Sequence, residues 1–218
     1  MAEPDLGFSY RFQPPAPGSD TPSPAVLLLH EGGGGEGVDF PTVDLSAAGA
    51  AVLRPEGKID DDGLARYFRR GADGAIDEDG LHRFVEELAD FVGAACEAFG
   101  LDRERVWALG FSNAAVAGAA LALDHPDTLA GGVLLSGTAP FREVEGKVLT
   151  GKSFFCAHGR SDPTVTLDDY EELVELLVSA GAEVELHWYD SGHEISAAEV
   201  ADAGAWLAKR LGQPAPSP

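Results

Sequence analysis

A serine, an aspartate and a histidine follow three apolar runs in that order: Ser112, Asp162 and His193. A serine hydroxyl is a weak nucleophile until a neighbouring base takes its proton, and an imidazole is the usual base. A carboxylate beside that imidazole orients it and stabilises its cation. The trio therefore spells acyl transfer through a covalent serine. Ser112 lies in Gly110-Phe111-Ser112-Asn113-Ala114, one residue away from the Gly-x-Ser-x-Gly turn that lifts a serine above the end of a sheet. Taken alone, a serine that starts a helix after a strand would read the same way. Two acids compete for His193. Asp162 lies in His158-Gly159-Arg160-Ser161-Asp162-Pro163, and Asp190 is only three residues from the histidine. A carboxylate so near in sequence is assigned to shaping the turn, so Asp162 is the expected orienting acid.

A second cluster, His30-Glu31-Gly32-Gly33-Gly34-Gly35, follows another apolar run. Glycines there let backbone N–H groups approach a reacting carbonyl. With the amide of Asn113, the amide of Gly32 is expected to form an oxyanion hole. A flexible loop is one competing reading, and a phosphate-binding loop is the other. The latter is weakened by the lack of a following Gly-Lys-Ser/Thr and by Glu31 and Glu36 nearby. No pair of the scattered histidines has zinc-motif helical spacing, so no metal is expected.

The elements that must position these residues alternate along the chain. Residues 7–12 are expected as an edge strand, and a proline-rich loop runs from Pro14 to Pro24. Strands are expected at 25–30, 50–53, 106–109, 132–135 and 153–157, and Val184, Leu186 and Trp188 alternate with polar residues in a further one. Leu81, Phe84, Val85, Leu88, Phe91, Val92 and Ala95 recur at helical spacing and stop near Gly100. A second helix is expected over 113–123. A third carries Leu167, Tyr170, Val174, Leu177 and Val178 on one face, with Thr166 and Asp169 as its start signal. Ser196 with Glu199 opens a last helix through Val200, Ala203, Leu207 and Leu211, and 213–218 reads as a frayed tail. Such alternation implies a mostly parallel sheet with helices on both faces. Sites on such sheets form at the carboxyl ends of the strands, where Ser112, Asp162 and His193 all fall.

The 218 residues suit a single domain spanning 1–218, with no internal repeat. No apolar run reaches membrane-spanning length, and the first residues are acidic rather than a basic, then apolar, leader; a cytoplasmic location is the default expectation. Cys96 and Cys156 sit in apolar runs and read as small buried hydrophobes rather than a disulfide framework. The net charge of −22 argues against nucleic acid and anionic membrane as partners. Only Lys58, Lys147, Lys152 and Lys209 are lysines among the 15 basic residues, and the acids are dispersed. That pattern is expected of a protein suited to high salt, where screening relieves self-repulsion; a merely acidic protein is the alternative.

These motifs resemble the phospholipase/carboxylesterase branch of the α/β-hydrolase superfamily, close to the dienelactone-hydrolase group. The likeness runs from Val26 to Leu211. It rests on Leu28-Leu29-His30 with its glycines, Arg54-Pro55, Tyr67-Phe68-Arg69-Arg70, Leu109-Gly110-Phe111-Ser112-Asn113, His158-Gly159-x-x-Asp162-Pro163 and Gly192-His193. The resemblance implies an α/β-hydrolase fold, a Ser112–Asp162–His193 triad, and Gly32 and Asn113 as oxyanion donors. It also implies no cofactor and a monomer or homodimer. A chain of 218 residues leaves little room for a separate lid, so an open site and small or short-chain esters are expected. Two positions depart from the family: Glu31 stands where glycine usually follows the first-strand histidine, and Ala114 replaces the last glycine of the turn. Dienelactone hydrolases use cysteine as nucleophile, so Ser112 points to carboxylic esters, with thioesters or lactones as the alternative. Tyr67 and Phe68, with Glu31, are candidate pocket residues; the competing reading places the two aromatics in the core on a short helix. Glu31 also motivates a reading of another class, a non-catalytic binding protein on the same fold.

Overall fold

The computed structural model describes residues 4–19, 22–30, 45, 49–61, 63–142, 146 and 148–212. Seven strands form one sheet: β1 (Tyr10–Gln13), β2 (Ser23–Leu28), β3 (Ala51–Pro55), β6 (Leu101–Phe111), β7 (Gly131–Leu135), β8 (Ser153–Gly159) and β9 (Glu183–Tyr189). Their order is β1-β3-β2-β6-β7-β8-β9, and all neighbours are parallel except β1 against β3. Among the described residues, four helices join them: α1 (Glu78–Phe99), α2 (Asn113–Asp124), α3 (Leu167–Ser179) and α4 (Ala197–Leu211).

The period-2 alternation of the central strands sorts their side chains into two layers. Ala25 and Leu27 of β2 and Val106 and Ala108 of β6 pack into a core with the apolar faces of α1, α2 and α3. Val26, Leu28, Trp107, Leu109 and Phe111 pack on the other face with Ala203, Trp206, Leu207 and Leu211 of α4. Burial on both faces explains why these strands read as continuous apolar runs. The helices start and stop where expected. Gly100 ends α1 in the left-handed region at φ 67°, and Thr166/Asp169 and Ser196/Glu199 form full capping boxes on α3 and α4. Both cysteines are free and buried, and burial pushes the Cys156 thiol up to about 12.

Several details differ from the sequence reading. Strand β6 begins at Leu101, and its charged start, Asp102 to Arg105, is half-buried to exposed, so it lacks the apolar run that marks the rest of the strand. The buried stripe of α3 is Tyr170, Leu173 and Leu177, while Leu167 and Val178 are exposed at 38% and 53%. This helix lies over β8 and β9 at the sheet edge, so it covers a narrower stripe. Leu186 of β9, the edge strand there, is likewise exposed. Finally, a small antiparallel hairpin, β4 (Ile59–Asp61) with β5 (Leu64–Arg66), stands outside the main sheet. Its Asp-Gly dipeptide at 62–63 is a two-residue hairpin signal, and Gly63 has φ 82°. Tyr67 and Phe68 follow that hairpin in irregular backbone rather than on a helix. The glycine cluster from Glu31 onward and the tail 213–218 lie outside the described residues.

Candidate active site

The parallel register aligns the ends of four strands: Phe111 lies opposite Leu135, Leu135 opposite Ala157, and Gly159 opposite Tyr189. Ser112, Asp162 and His193 leave the sheet at this one edge. Ser112 has φ 56° and ψ −121°, a conformation that costs an L-residue about 1 kcal/mol or more. It is held there by its N–H donating to the Leu135 carbonyl at 2.8 Å and its carbonyl accepting from Val116 N at 3.2 Å. The tight turn explains Gly110, where a Cβ would come within 2.5 Å of the Ala114 carbonyl carbon. The methyl of Ala114, by contrast, is fully buried without displacing the turn. The close approach therefore makes its demand at Gly110, and the alanine two residues after the serine is accommodated.

The segments that carry the other two residues are tied together. Arg160 N donates to the Tyr189 carbonyl at 2.8 Å, and Ser161 N to the Ser191 carbonyl at 3.0 Å. A Cβ on Gly159 would overlap the Ser191 and Gly192 carbonyl oxygens, so glycine is needed for this pairing. The result is a continuous line: Asp162 Oδ2 lies 2.7 Å from His193 Nδ1, and His193 Nε2 lies 3.0 Å from Ser112 Oγ. With the carboxylate on Nδ1, the proton belongs there, and the Nε2 lone pair faces the hydroxyl. Asp190, the rival acid, is exposed.

Asp162 has no exposed side-chain surface. Burial pushes its carboxyl up. Hydrogen bonds from Val165 N (3.0 Å), His193 and Thr164 N (2.7 Å) outweigh burial and hold the carboxyl below its ordinary value. A second imidazole, His158, completes this environment and was not singled out from the sequence as a candidate. It is fully buried, 3.7 Å from Asp162 Oδ2, between Ser136 Oγ (3.0 Å) and the Val165 carbonyl (3.1 Å). Burial lowers its pKa, with Asp162 pulling the other way. The neutral ring thus donates from Nε2 to Val165 and accepts at Nδ1 from Ser136. Its sequence signals are its place near the end of an apolar strand and its position in the His158-Gly159-x-x-Asp162-Pro163 motif.

Asn113 is the first residue of α2, so its amide N–H has no partner one turn earlier and points out of the helix's positive end. Arg70 grips its side chain: Nε and Nη2 donate to Asn113 Oδ1 at 3.3 and 3.2 Å, and Nη1 to the Gly74 carbonyl at 3.0 Å. Of the two aromatic candidates, Phe68 borders a cavity of about 310 Å³ whose described lining also includes Arg66, Arg69, Arg70 and Asn113. Tyr67 is instead turned into the core. Its hydroxyl donates to the Pro55 carbonyl at 3.2 Å and accepts from His30 N at 2.9 Å, tying the end of β2 to β3. His30 Nε2 accepts from Gly57 N at 3.0 Å, and burial lowers the His30 pKa against the pull of Glu56. Glu31 and Gly32, the remaining candidates, lie outside the described residues.

The described residues contain no group of three or more His, Cys, Asp or Glu side chains placed to hold a metal ion, and no helix among them is long and apolar enough to cross a membrane.

The chain matches known proteins over most of its length. A carboxylesterase from Bacillus cereus superposes with a TM-score of 0.84 at 36% identity, covering 93% of this chain and 94% of that one. A carboxylesterase from Mesorhizobium loti superposes with a TM-score of 0.79 at 29% identity, covering 94% and 96%. The putative hydrolase MhqD of Bacillus subtilis is 33% identical over 192 residues, 85% of this chain and 93% of that protein. The phospholipase/carboxylesterase family model matches residues 68–211. The fold, the order of its strands and these likenesses agree: the chain belongs to the phospholipase/carboxylesterase family of hydrolases, with the α/β-hydrolase fold.

Proposed function

We propose that this protein hydrolyses small carboxylic esters through an acyl-enzyme on Ser112. The observation that carries the reading is the hydrogen-bonded line from Asp162 through His193 to Ser112 Oγ. Ser112 Oγ attacks the acyl carbon as its proton passes to His193 Nε2, and Asp162 stabilises the imidazolium. The carbonyl electrons move onto oxygen, where the amide of Asn113 and that of Gly32 hold the charge. As the intermediate collapses, the alkoxide leaves with the proton from His193. Water then attacks the acyl-enzyme by the same steps in reverse roles, releasing the acid and restoring Ser112. The cavity of about 310 Å³ beside Asn113 suits a small acyl or alcohol group. Membership of the family supports ester hydrolysis in general; the triad roles and the preference for small substrates are our reading.

A fluorophosphonate probe tests it directly. The expected outcome is a single covalent adduct at Ser112 and turnover of short p-nitrophenyl esters that the probe abolishes. An unmodified Ser112 together with no ester turnover would overturn the proposal.

A further inference from the structure

The cavity beside Asn113 is lined by three cations, Arg66, Arg69 and Arg70, with Phe68 as its apolar wall. This concentration stands out in a chain of net charge −22 that has only 15 basic residues. Two further features separate these arginines from ordinary surface charges. First, Arg70 is fixed by neutral acceptors, Asn113 Oδ1 and the Gly74 carbonyl. Those bonds use three of its five N–H donors and bring no negative charge to it. Second, among the described residues neither Arg69 nor Arg70 pairs with a carboxylate, whereas Lys58, Arg103 and Arg142 pair with Glu87, Glu97 and Glu78. The guanidinium of Arg70 also lies 5.6 Å from the Phe68 ring centroid, which helps keep its plane in position.

We infer that this cavity binds an anionic group of the substrate, so that the preferred ester also carries a carboxylate or a phosphate-like group. The inference rests on the ester-hydrolase reading for the reacting bond and adds the charge of the substrate. Guanidinium forks match both kinds of anionic oxygen cluster. The position is apt: the cavity begins at Asn113, next to the serine, so a short spacer can join the anionic group to the acyl carbon. The arginines also solve a problem set by the rest of the molecule. An acidic surface repels an anionic substrate, and a local cationic cleft restores attraction where it is needed.

The test compares three methyl esters with acyl chains of similar length: monomethyl glutarate, methyl 4-phosphonobutyrate and methyl valerate. Hydrolysis is followed by acid release at constant ionic strength. We expect kcat/KM for at least one of the anionic esters to exceed that for methyl valerate about tenfold or more. In the double variant Arg66→Gln/Arg69→Gln that ratio should fall towards one; a ratio cancels any general loss of activity. In parallel, binding of glutarate and of 4-phosphonobutyrate to Ser112→Ala is measured by calorimetry, with and without the two arginine substitutions. Which anion wins distinguishes a carboxylate from a phosphate-like group. Methyl valerate cleaved as well as both anionic esters, or a preference that survives the double substitution, overturns the inference and leaves the hydrolase reading standing. No ester turnover with arginine-dependent anion binding supports the cavity and sinks the hydrolase reading. No turnover and no binding overturns both.

Discussion

On one side of Ser112, the segments after β8 and β9 are stitched by backbone hydrogen bonds, and the carboxylate between them accepts from two amides and an imidazole. On the other side, the segment after β5 carries Arg69 and Arg70, both exposed, around an open cavity. The first side admits no slack: Gly110 and Gly159 are each closed off by neighbouring backbone. The second keeps charge and space available. The difference suits a division of labour. Proton transfer needs atoms held within tenths of an ångström, whereas substrate recognition needs accessible groups that can adapt.

Substitutions on the two sides should therefore behave differently, and the largest effect tests the relay. Ser112→Ala should lower kcat by ~10⁴-fold or more for every ester, charged or neutral, because the nucleophile itself is gone. A smaller, substrate-selective loss would mean that Ser112 belongs to recognition. Asp162→Asn should cost about 10³- to 10⁴-fold, since an amide leaves His193 without a carboxylate on Nδ1. The same variant should change stability. The native carboxyl sits below its ordinary value of 3.8, so at acid pH the unfolded chain binds the extra proton first. Its contribution is complete above about pH 4 and is lost as pH falls towards the depressed native value. Urea unfolding of the native protein should thus weaken across that window, and Asp162→Asn should flatten that part of the acid limb.

Next in size, Gly159→Ala should reduce turnover roughly 10- to 100-fold by moving the 159–162 segment away from His193, a small misplacement with a large cost. Thermal unfolding should fall with it. Asn113→Ala is expected to cost only several-fold, about 1 kcal/mol for the lost anchor to Arg70, because the oxyanion donor we propose is the backbone amide. A loss near that of Asp162→Asn would show that the Arg70–Asn113 contact belongs to the rigid side. The mildest test spans the whole surface: stability should rise from low to molar salt as self-repulsion is screened. A flat profile would leave the net charge of −22 as simple acidity.

The proton-relay side was more legible in the sequence than the arginine side. Gly110 and Ser112 announced a turn because they are neighbours, and the register of a parallel sheet carries Ser112, Asp162 and His193 to one edge almost regardless of loop detail. The choice between Asp162 and Asp190 was less secure: both are carboxylates near the strand ends, and only the pairing of two separate segments decides which one touches His193. His158 stands in the His158-Gly159-x-x-Asp162-Pro163 motif, but nothing in that motif says that its ring is buried beside Asp162. Tyr67 and Phe68 are adjacent and similar in type, yet one ties β2 to β3 and the other walls the cavity. In irregular backbone there is no period to say which way each side chain turns.

Local order came from the chain itself. Strand alternation, helical stripes, the capping boxes at Thr166 and Ser196 and the elbow at Ser112 each involve residues within a few positions of one another, and short-range sterics and hydrogen bonds suffice to specify them. Which atoms of distant residues meet, and at what distance, was decided by the tertiary structure. Asp162 with His193 spans 31 residues, Ser112 with His193 spans 81, and Arg70 with Asn113 spans 43. Such pairs depend on strand register, crossover and loop path together, which no short window of sequence contains.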